Sequence, residues 1–438
     1  MCLGSLSLIL TNKEIASVAE ILINNMISNA KNKELLYYTI GFNSIVKNVA
    51  NKIGASVTTV LPFIFKDINE KINTETEDFE YINELVDYYL SIIDYFVRMC
   101  PNETKSSLKS IIDVVYKLIS YDPNSAVDDD AEEIDIEEEE DEYEEWDDMY
   151  DNGDTAWKVR RAAVQVADTL IQTHPELLRE LAETVFDKLV KRFKEKEQNV
   201  KLDVFNALSD FLRMIVYGDT RTEEDNIEEL IEMPKLTRMK SAFIDYSHKI
   251  SNMIASLTKV FKDKKATPAL KVAASNLLFK ASKCTPDAVI EKIDVVFPLI
   301  ETHFSQSNNP SELKVNMIRI LRSLLKSQVD KQSTKLEAYF NKIIKIIESA
   351  IKNDYFKISA EGFKALSVFY RVLRPNVSAS PDKFSTYVKP ILPLIVDKLK
   401  ETDIDQEVIG YIKYSYPFRL NQLLLSMLLL SSPSLLMP

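Results

Sequence analysis

The residues that most often carry out catalysis are few and scattered in this chain. The three histidines, His174, His248 and His303, stand far apart, form no HExxH pair, and have no cysteine at metal-ligand spacing. Only 7 glycines occur among 438 residues, with no Walker loop or GxGxxG motif, so a glycine-built phosphate cradle is not expected. The sequence therefore predicts a protein that is not an enzyme, with no metal site, no cofactor and no small-molecule substrate.

Carboxylates are concentrated in residues 128–154, which we call the acidic segment. It contains 18 Asp and Glu and no Lys or Arg, so the rest of the chain carries +5 although the whole chain carries −13. Like charges at this density repel, which predicts a disordered loop without the pre-organisation that acid–base chemistry needs. Two interpretations stay open: a solvated loop that maintains solubility, or a loop that binds a partner.

Aromatic residues within the acidic segment favour partner binding, because they add contact area to charge. The candidate partner-binding residues are Asp128, Asp129, Asp130, Glu137, Glu138, Glu139, Glu140, Asp141, Tyr143, Trp146 and Tyr150. Such a segment argues against nucleic acid as a partner and favours a basic protein surface. The apolar run at 423–430 is shorter than the ~20 residues of a bilayer span, so no membrane partner is expected. Three unpatterned cysteines are typical of a cytoplasmic or nuclear protein.

A second pattern recurs along the chain: an apolar residue, a lysine and another apolar residue open an apolar run with helical spacing. We call these five tripeptides the repeat marks. Their lysines, Lys158, Lys201, Lys271, Lys314 and Lys357, are spaced 43, 70, 43 and 43 residues apart. A period in the low forties without a strand pattern predicts an all-α fold, a HEAT/armadillo-type α-solenoid of antiparallel helix pairs. Scarce glycine agrees with long helices.

The repeat marks are expected to be mainly structural. The apolar residues would flank a helix start and pack on both neighbouring repeats, as in Trp157-Lys158-Val159 and Phe356-Lys357-Ile358, while each lysine points outward or caps carbonyls of the preceding helix. Arg160 and Arg161 follow the first mark and are assigned to the same group. Aligned turns would also place the lysines in a basic row along one edge.

The pattern predicts four regions. Residues 1–127 and 155–408 are HEAT-like repeats, residues 128–154 form the acidic loop, and residues 409–438 are an atypical Leu/Ser-rich tail. No charged residue follows Arg419, and we interpret the tail as a truncation or a frame artefact rather than a tail anchor or a natural short form.

Several segments carry a resemblance to a known family. Tyr121-Asp-Pro-Asn124, the acidic run, Trp157-Lys-Val-Arg-Arg-Ala-Ala163, the stretch from Leu189 to Phe205, and Asp403-Ile-Asp-Gln-Glu-Val408 follow one another in the same order as in the cullin-associated, neddylation-dissociated proteins. The resemblance extends from near Leu3 to Val408 and covers only an internal, amino-proximal part of such a protein. It implies a HEAT-repeat scaffold that binds unneddylated cullin–RING proteins and promotes exchange of substrate-receptor modules in SCF-type ubiquitin ligases.

Other functions stay as alternatives. An importin-β-like nuclear transport receptor, which would bind a small GTPase and cargo, is also a HEAT-repeat protein that can carry an acidic loop. A passive phosphatase scaffold fits less well, because its repeats are shorter and lack the acidic run. The amino-acid sequences of residues 157–163 and 189–205 favour the cullin-associated family over the transport receptor and the phosphatase scaffold.

Overall fold

The repeat period of the sequence corresponds to alternating helices in a computed structural model of the chain. The structure describes residues 2–73, 78–123, 155–217, 247–329, 335–373, 387 and 391–399, and no strand occurs among them. The described chain divides into two compact units, Met1–Ile231 and Glu232–Pro438, here called unit 1 and unit 2. The predicted all-α class is confirmed.

The helices of unit 1 are α1 (Cys2–Ser7), α2 (Asn12–Ser28), α3 (Leu35–Val49), α4 (Val57–Ile72), α5 (Phe79–Met99), α6 (Pro101–Thr104), α7 (Leu108–Leu118), α8 (Ala156–Thr173), α9 (Leu178–Lys191) and α10 (Gln198–Tyr217). Sequential helices pair across short turns, α2 with α3, α4 with α5 and α9 with α10, and α7 packs on α8 although the acidic segment separates them in the sequence. The second helices of the pairs, α3, α5, α8 and α10, also pack on one another in that order.

The helices of unit 2 are α11 (Ser247–Lys262), α12 (Pro268–Cys284), α13 (Pro286–Glu291), α14 (Ile293–Ser305), α15 (Ser311–Ser327), α16 (Phe340–Ile351), α17 (Phe356–Leu373) and α18 (Leu392–Leu399). The same arrangement recurs: α11 packs on α12, α14 on α15 and α16 on α17, while α12, α15 and α17 pack in a row. We call the row α3–α5–α8–α10 the mark layer of unit 1, and the row α12–α15–α17 the mark layer of unit 2.

Helix α5 shows why the sequence forms this layer. Apolar side chains recur every three or four residues, and Leu85, Tyr89, Ile92 and Phe96 are all fully buried. The buried Tyr89 hydroxyl donates a hydrogen bond to Asp67 Oδ2 of α4 at 2.9 Å, which satisfies both polar groups inside the pair. The helix ends at Met99 with Cys100 as its C-cap, and the proline that follows Cys100 begins α6.

A glycine sets the distance between α16 and α17. A Cβ atom at Gly362 would lie 2.9 Å from the Cβ of Ala350, closer than side chains approach. The small pair Ala350 and Gly362 therefore lets α16 pack closely on α17, next to Glu361 in the sequence.

Candidate partner-binding surfaces

All five repeat marks lie in the first turn of a mark-layer helix: α8, α10, α12, α15 and α17. In each mark at least one apolar residue is buried: Val159, Val200, Leu270 and Ile358 are at most 1% exposed. Only in α15 are both buried, Leu313 and Val315, and α15 is the helix that packs between α12 and α17. Residues two apart point about 200° away from each other on a helix, so a second neighbour is needed to bury both.

The expectation that both apolar residues of a mark pack on neighbouring repeats is therefore wrong for Phe356. Phe356 is 36% exposed at the first position of α17, with its ring against Tyr355 at 5.5 Å between ring centroids. Its mark partner Ile358 faces the core instead. Trp157 is likewise only partly buried.

The mark lysines differ in their surroundings. Lys158 and Lys357 are exposed, whereas Lys201, Lys271 and Lys314 are half-buried. Lys314 Nζ donates to the carbonyl of Ser307 at 3.3 Å, which lies in the turn after α14 rather than in the helix itself.

Arg160 joins three parts of unit 1. Its buried guanidinium donates to Glu195 through Nε to Oε2 at 2.8 Å and Nη2 to Oε1 at 3.0 Å, and Nη1 donates to the carbonyl of Tyr121 at 3.1 Å. Burial alone would raise the pKa of Glu195, but the contacts of Arg160 hold it below its ordinary value. Arg160 therefore ties the residues before the acidic segment to the start of α8 and to the turn before α10.

Charges in the mark layer of unit 1 form pairs across helices. Arg161 Nε of α8 donates to Asp203 Oδ2 of α10 at 2.8 Å, and Gln165 Nε2 donates to the same oxygen at 2.9 Å. Further along α8, Gln172 Nε2 donates to Asp168 of the same helix and to Asp210 of α10, both at 2.8 Å. An ion pair and side-chain amide hydrogen bonds thus connect α8 to the neighbouring helix α10.

Two carboxyls of this layer titrate at unusual pH. Burial, followed by the nearby Asp210, raises the pKa of Asp168 to about 7. Burial raises the pKa of Asp87 to about 6, against the opposing effect of Lys158 and Arg161. The mark lysine Lys158 is therefore close enough to an α5 carboxyl to act electrostatically across the layer.

The mark layer of unit 2 contains a group of cations around one carboxylate, which we call the cation cluster. Its members are Lys280 and Lys283 of α12, Arg319, Arg322 and Lys326 of α15, and Glu361 and Lys364 of α17. The buried Glu361 carboxylate lies 3.5 Å from Arg319 Nε, 3.2 Å from Arg322 Nε and 3.2 Å from Lys364 Nζ. Burial would raise the pKa of Glu361, yet Arg322, Lys364 and Arg319 together hold it below its ordinary value.

Sequence reasoning missed the cation cluster. A signal was available, since Lys280, Arg322 and Lys364 are spaced by 42 residues, and Lys283 and Lys326 by 43, close to the repeat period. Polar contacts also recur one repeat apart: Asn316 Nδ2 donates to Ser275 Oγ at 2.9 Å, and Ser323 Oγ donates to the carbonyl of Ser282 at 3.1 Å.

The predicted partner-binding residues of the acidic segment and the tail at 409–438 lie outside the described residues. Within the described ranges, no three His, Cys, Asp or Glu side chains are grouped so as to hold a metal ion. None of the helices described there is long and apolar enough to cross a membrane.

Two helix layers in each unit, with cross-helix polar contacts and half-buried charge, define the class: an all-α helical-repeat protein. Residues 287–410 match the family model described as CAND1-like, TPR repeats. The chain is 29% identical over 413 residues to Cullin-associated NEDD8-dissociated protein 1 of Arabidopsis thaliana, covering 93% of this chain and 32% of that protein. The resemblance to the cullin-associated, neddylation-dissociated proteins is confirmed.

Other relatives carry similar names. The chain is 27% identical to Cullin-associated NEDD8-dissociated protein 1 of Drosophila melanogaster, over 74% of this chain and 26% of that protein.

Among solved structures it is similar to Kap121p (TM-score 0.42, 13% identity, 91% of this chain and 38% of that one). It is also similar to Kap95p from a structure concerning RanGDP (TM-score 0.43, 13% identity, 90% and 47%). The chain thus spans about a third of the length of the curated relatives it matches.

Proposed function

We propose that this chain binds cullin–RING scaffold proteins in their unneddylated form and takes part in the exchange of substrate-receptor modules, in the cytoplasm, the nucleus or both. One observation carries the proposal: 93% of the chain aligns with a relative named Cullin-associated NEDD8-dissociated protein 1. The relatives' names describe association with cullins, and the role passes to this chain by that similarity alone.

The physical character of the fold supports binding rather than catalysis. Helical repeats present extended surfaces whose neighbouring helices are fixed by packing, as α5, α8 and α10 are in unit 1. Large partner surfaces are recognised by such arrays through many distributed contacts rather than through one deep site.

The acidic segment belongs to the proposal as the part that attracts a basic face of the cullin–RING assembly. Its 18 carboxylates lie between α7 and α8, two helices that pack on each other. In the sequence, the segment is therefore an insertion between two paired helices of unit 1. Charges of this kind mainly accelerate encounter with a partner.

Co-purification tests the binding proposal. The full chain is incubated with a purified cullin–RING pair, with the same pair carrying NEDD8, and with a small GTPase in its GTP form. We expect retention of the unmodified cullin–RING pair, weaker retention of the neddylated pair, and no retention of the GTPase. Retention of the GTPase alone would instead support the transport-receptor alternative. Receptor exchange is assayed separately, because the chain covers only a third of its relatives.

Stopped-flow association tests the acidic segment. A chain in which residues 128–154 are replaced by a neutral Gly/Ser linker should bind the cullin–RING pair more slowly and with a flatter salt dependence. The reason is screening: the Debye length falls from about 10 Å at 0.1 M salt to about 3 Å at 1 M. Circular dichroism of both proteins controls for folding. Equal rates and equal salt slopes would assign the segment to solubility.

A further inference from the structure

The turns that join the helix pairs of unit 2 lie side by side. The α11–α12 and α14–α15 turns are neighbours, because the rings of Phe261 and His303, near the ends of α11 and α14, lie 5.3 Å apart between centroids. Lys271 of α12 reaches the same place, since burial and then Lys271 lower the pKa of His303. The ion pair between Arg319 of α15 and Glu361 of α17 sets these two helices level to within about one turn.

Positive charge is concentrated at one end of this row of turns. We call residues 262–271, 306–314 and 352–357 the turn edge, which contains 7 Lys against 3 Asp and Glu. Four of the lysines lie in residues 262–271, whereas residues 306–314 contain one Lys and one Glu. Lys262 and Lys264 are exposed, and neither forms an ion pair with a carboxylate in the part of the chain that the structure describes.

The opposite end of the turn edge presents two exposed aromatic side chains. Tyr355 is 38% and Phe356 36% exposed, and their rings meet edge to face with centroids 5.5 Å apart. The backbone N–H of Tyr355 donates to Asn353 Oδ1 at 3.0 Å, which fixes the turn that carries the pair. The exposed Lys352 and Lys357 flank the rings, and Lys357 Nζ lies 5.9 Å from the Phe356 centroid. Aromatic side chains held in this way are typical of the residues that dominate protein interfaces.

We propose that the turn edge binds an acidic peptide segment of a partner protein, with the peptide's carboxylates on the α11–α12 turn and an aromatic side chain of the peptide against Tyr355 and Phe356. Carboxylates complement the lysines at one end, and a third ring extends the edge-to-face contact at the other. Helices α12, α15 and α17, packed about 8–10 Å apart, place the two ends about 16–20 Å apart. An extended peptide spans this distance in about five or six residues. The proposal does not depend on cullin binding.

A peptide fits the turn edge better than a single-stranded nucleic acid, which also combines charge with stacking. A nucleic acid carries a phosphate at every nucleotide and needs positive charge along its whole path. The exposed carboxylates of Glu312 and Asp354 would lie against such a backbone. A peptide with uncharged residues between its carboxylates and its aromatic residue avoids this repulsion.

Fluorescence anisotropy tests the proposal with a labelled peptide of three glutamates, five Gly/Ser residues and one tryptophan in that order. The full chain is titrated first, and then the chain with residues 128–154 replaced by a neutral Gly/Ser linker, so that its own carboxylates do not compete. We expect saturable binding that weakens as salt rises. Three matched peptides replace the tryptophan by serine, replace the glutamates by glutamines, or shorten the spacer to one residue. Each should bind about fivefold more weakly or worse.

Matched variants localise the two ends of the site. Phe356→Ala should weaken binding of the tryptophan peptide about tenfold and leave binding of the serine peptide unchanged. Lys262→Gln combined with Lys264→Gln should weaken binding of both peptides, by about fivefold. The control Lys191→Gln combined with Lys194→Gln removes the same charge from exposed positions beside the α9–α10 turn and should leave binding unchanged. Circular dichroism verifies that each variant is folded.

Four results would overturn the proposal. Equal weakening by the α9–α10 control would show a general charge effect. Equal weakening of the tryptophan and serine peptides by Phe356→Ala would show that the peptide's ring does not contact the aromatic pair. Tighter binding of a ten-nucleotide single-stranded DNA than of the tryptophan peptide would assign the turn edge to nucleic acid. No saturable binding of the tryptophan peptide by either protein, at low salt, would remove the site.

Discussion

The two mark layers share a backbone plan but distribute charge differently. In unit 1, charged side chains are matched across helices, as Arg161 is with Asp203. In unit 2, one buried carboxylate, Glu361, lies among several cations. The repeat fixes which helices meet, whereas the polar residues of each layer decide how charge is arranged between those helices.

The largest effect should come from removing the buried carboxylate of the cation cluster. Glu361→Ala removes the carboxylate that Arg319, Arg322 and Lys364 share and should destabilise unit 2 by about 3–5 kcal/mol. Hydrogen exchange followed by mass spectrometry, read on peptides from α15 and α17, measures the loss. The matched control Glu301→Ala, whose exposed pair with Lys342 is 2.9 Å long, should cost about 1 kcal/mol or less. Equal effects would erase the distinction between the layers.

The next effect concerns the buried pair of unit 1. Arg160→Lys keeps a charge but cannot reproduce the two parallel hydrogen bonds to Glu195 or the contact with the Tyr121 carbonyl. We expect a loss of about 2 kcal/mol, since a hydrogen bond to a charged group contributes about 1.5–3 kcal/mol. Faster hydrogen exchange, measured by mass spectrometry, should be confined to peptides from α8 and the start of α10. The control Arg179→Lys, in an exposed pair with Glu183, should leave stability nearly unchanged.

A pH-dependent gain should follow from Asp168→Asn. The folded pKa of Asp168, about 7, lies above its unfolded value of 3.8, so its favourable contribution is complete below pH 4 and is lost as the pH rises through 7. The variant should therefore be more stable than the parent at pH 8, by about 1–2 kcal/mol more than at pH 5. Denaturant midpoints at the two pH values measure this. Asp203→Asn, which breaks the pair with Arg161, should be destabilising at pH 8.

The smallest effect should occur at the exposed repeat mark. Phe356→Ala should change stability by about 1 kcal/mol or less, because the ring is already 36% exposed. Phe363→Ala, in the same helix with a fully buried ring, should cost about 3–5 kcal/mol. Chemical denaturation followed by circular dichroism compares the two. A large loss from Phe356→Ala would show that the mark is buried in solution.

The spacing of apolar residues predicted the helices well, because a helix that buries one face needs apolar side chains every three or four residues. The apolar spacing in α5 and the marks at Lys201, Lys271 and Lys314 all fall where helices are found. The burial of Phe356 was wrongly predicted, since spacing alone does not reveal whether a helix start has neighbours on both sides. The cation cluster was missed because Lys283 and Glu361 come together only through the packing of α12, α15 and α17.

The contacts of Arg160 have a consequence for how the chain can vary. The helices on either side of the acidic segment, α7 and α8, pack together, and Arg160 binds the Tyr121 carbonyl just before the segment. Lengthening a loop adds only about 0.6 kcal/mol of closure entropy for each doubling of its length. The fold of unit 1 therefore places little constraint on the length of residues 128–154, and related chains are free to diverge there while α7 and α8 stay joined. A single protease cut within the insertion would leave two fragments that remain associated.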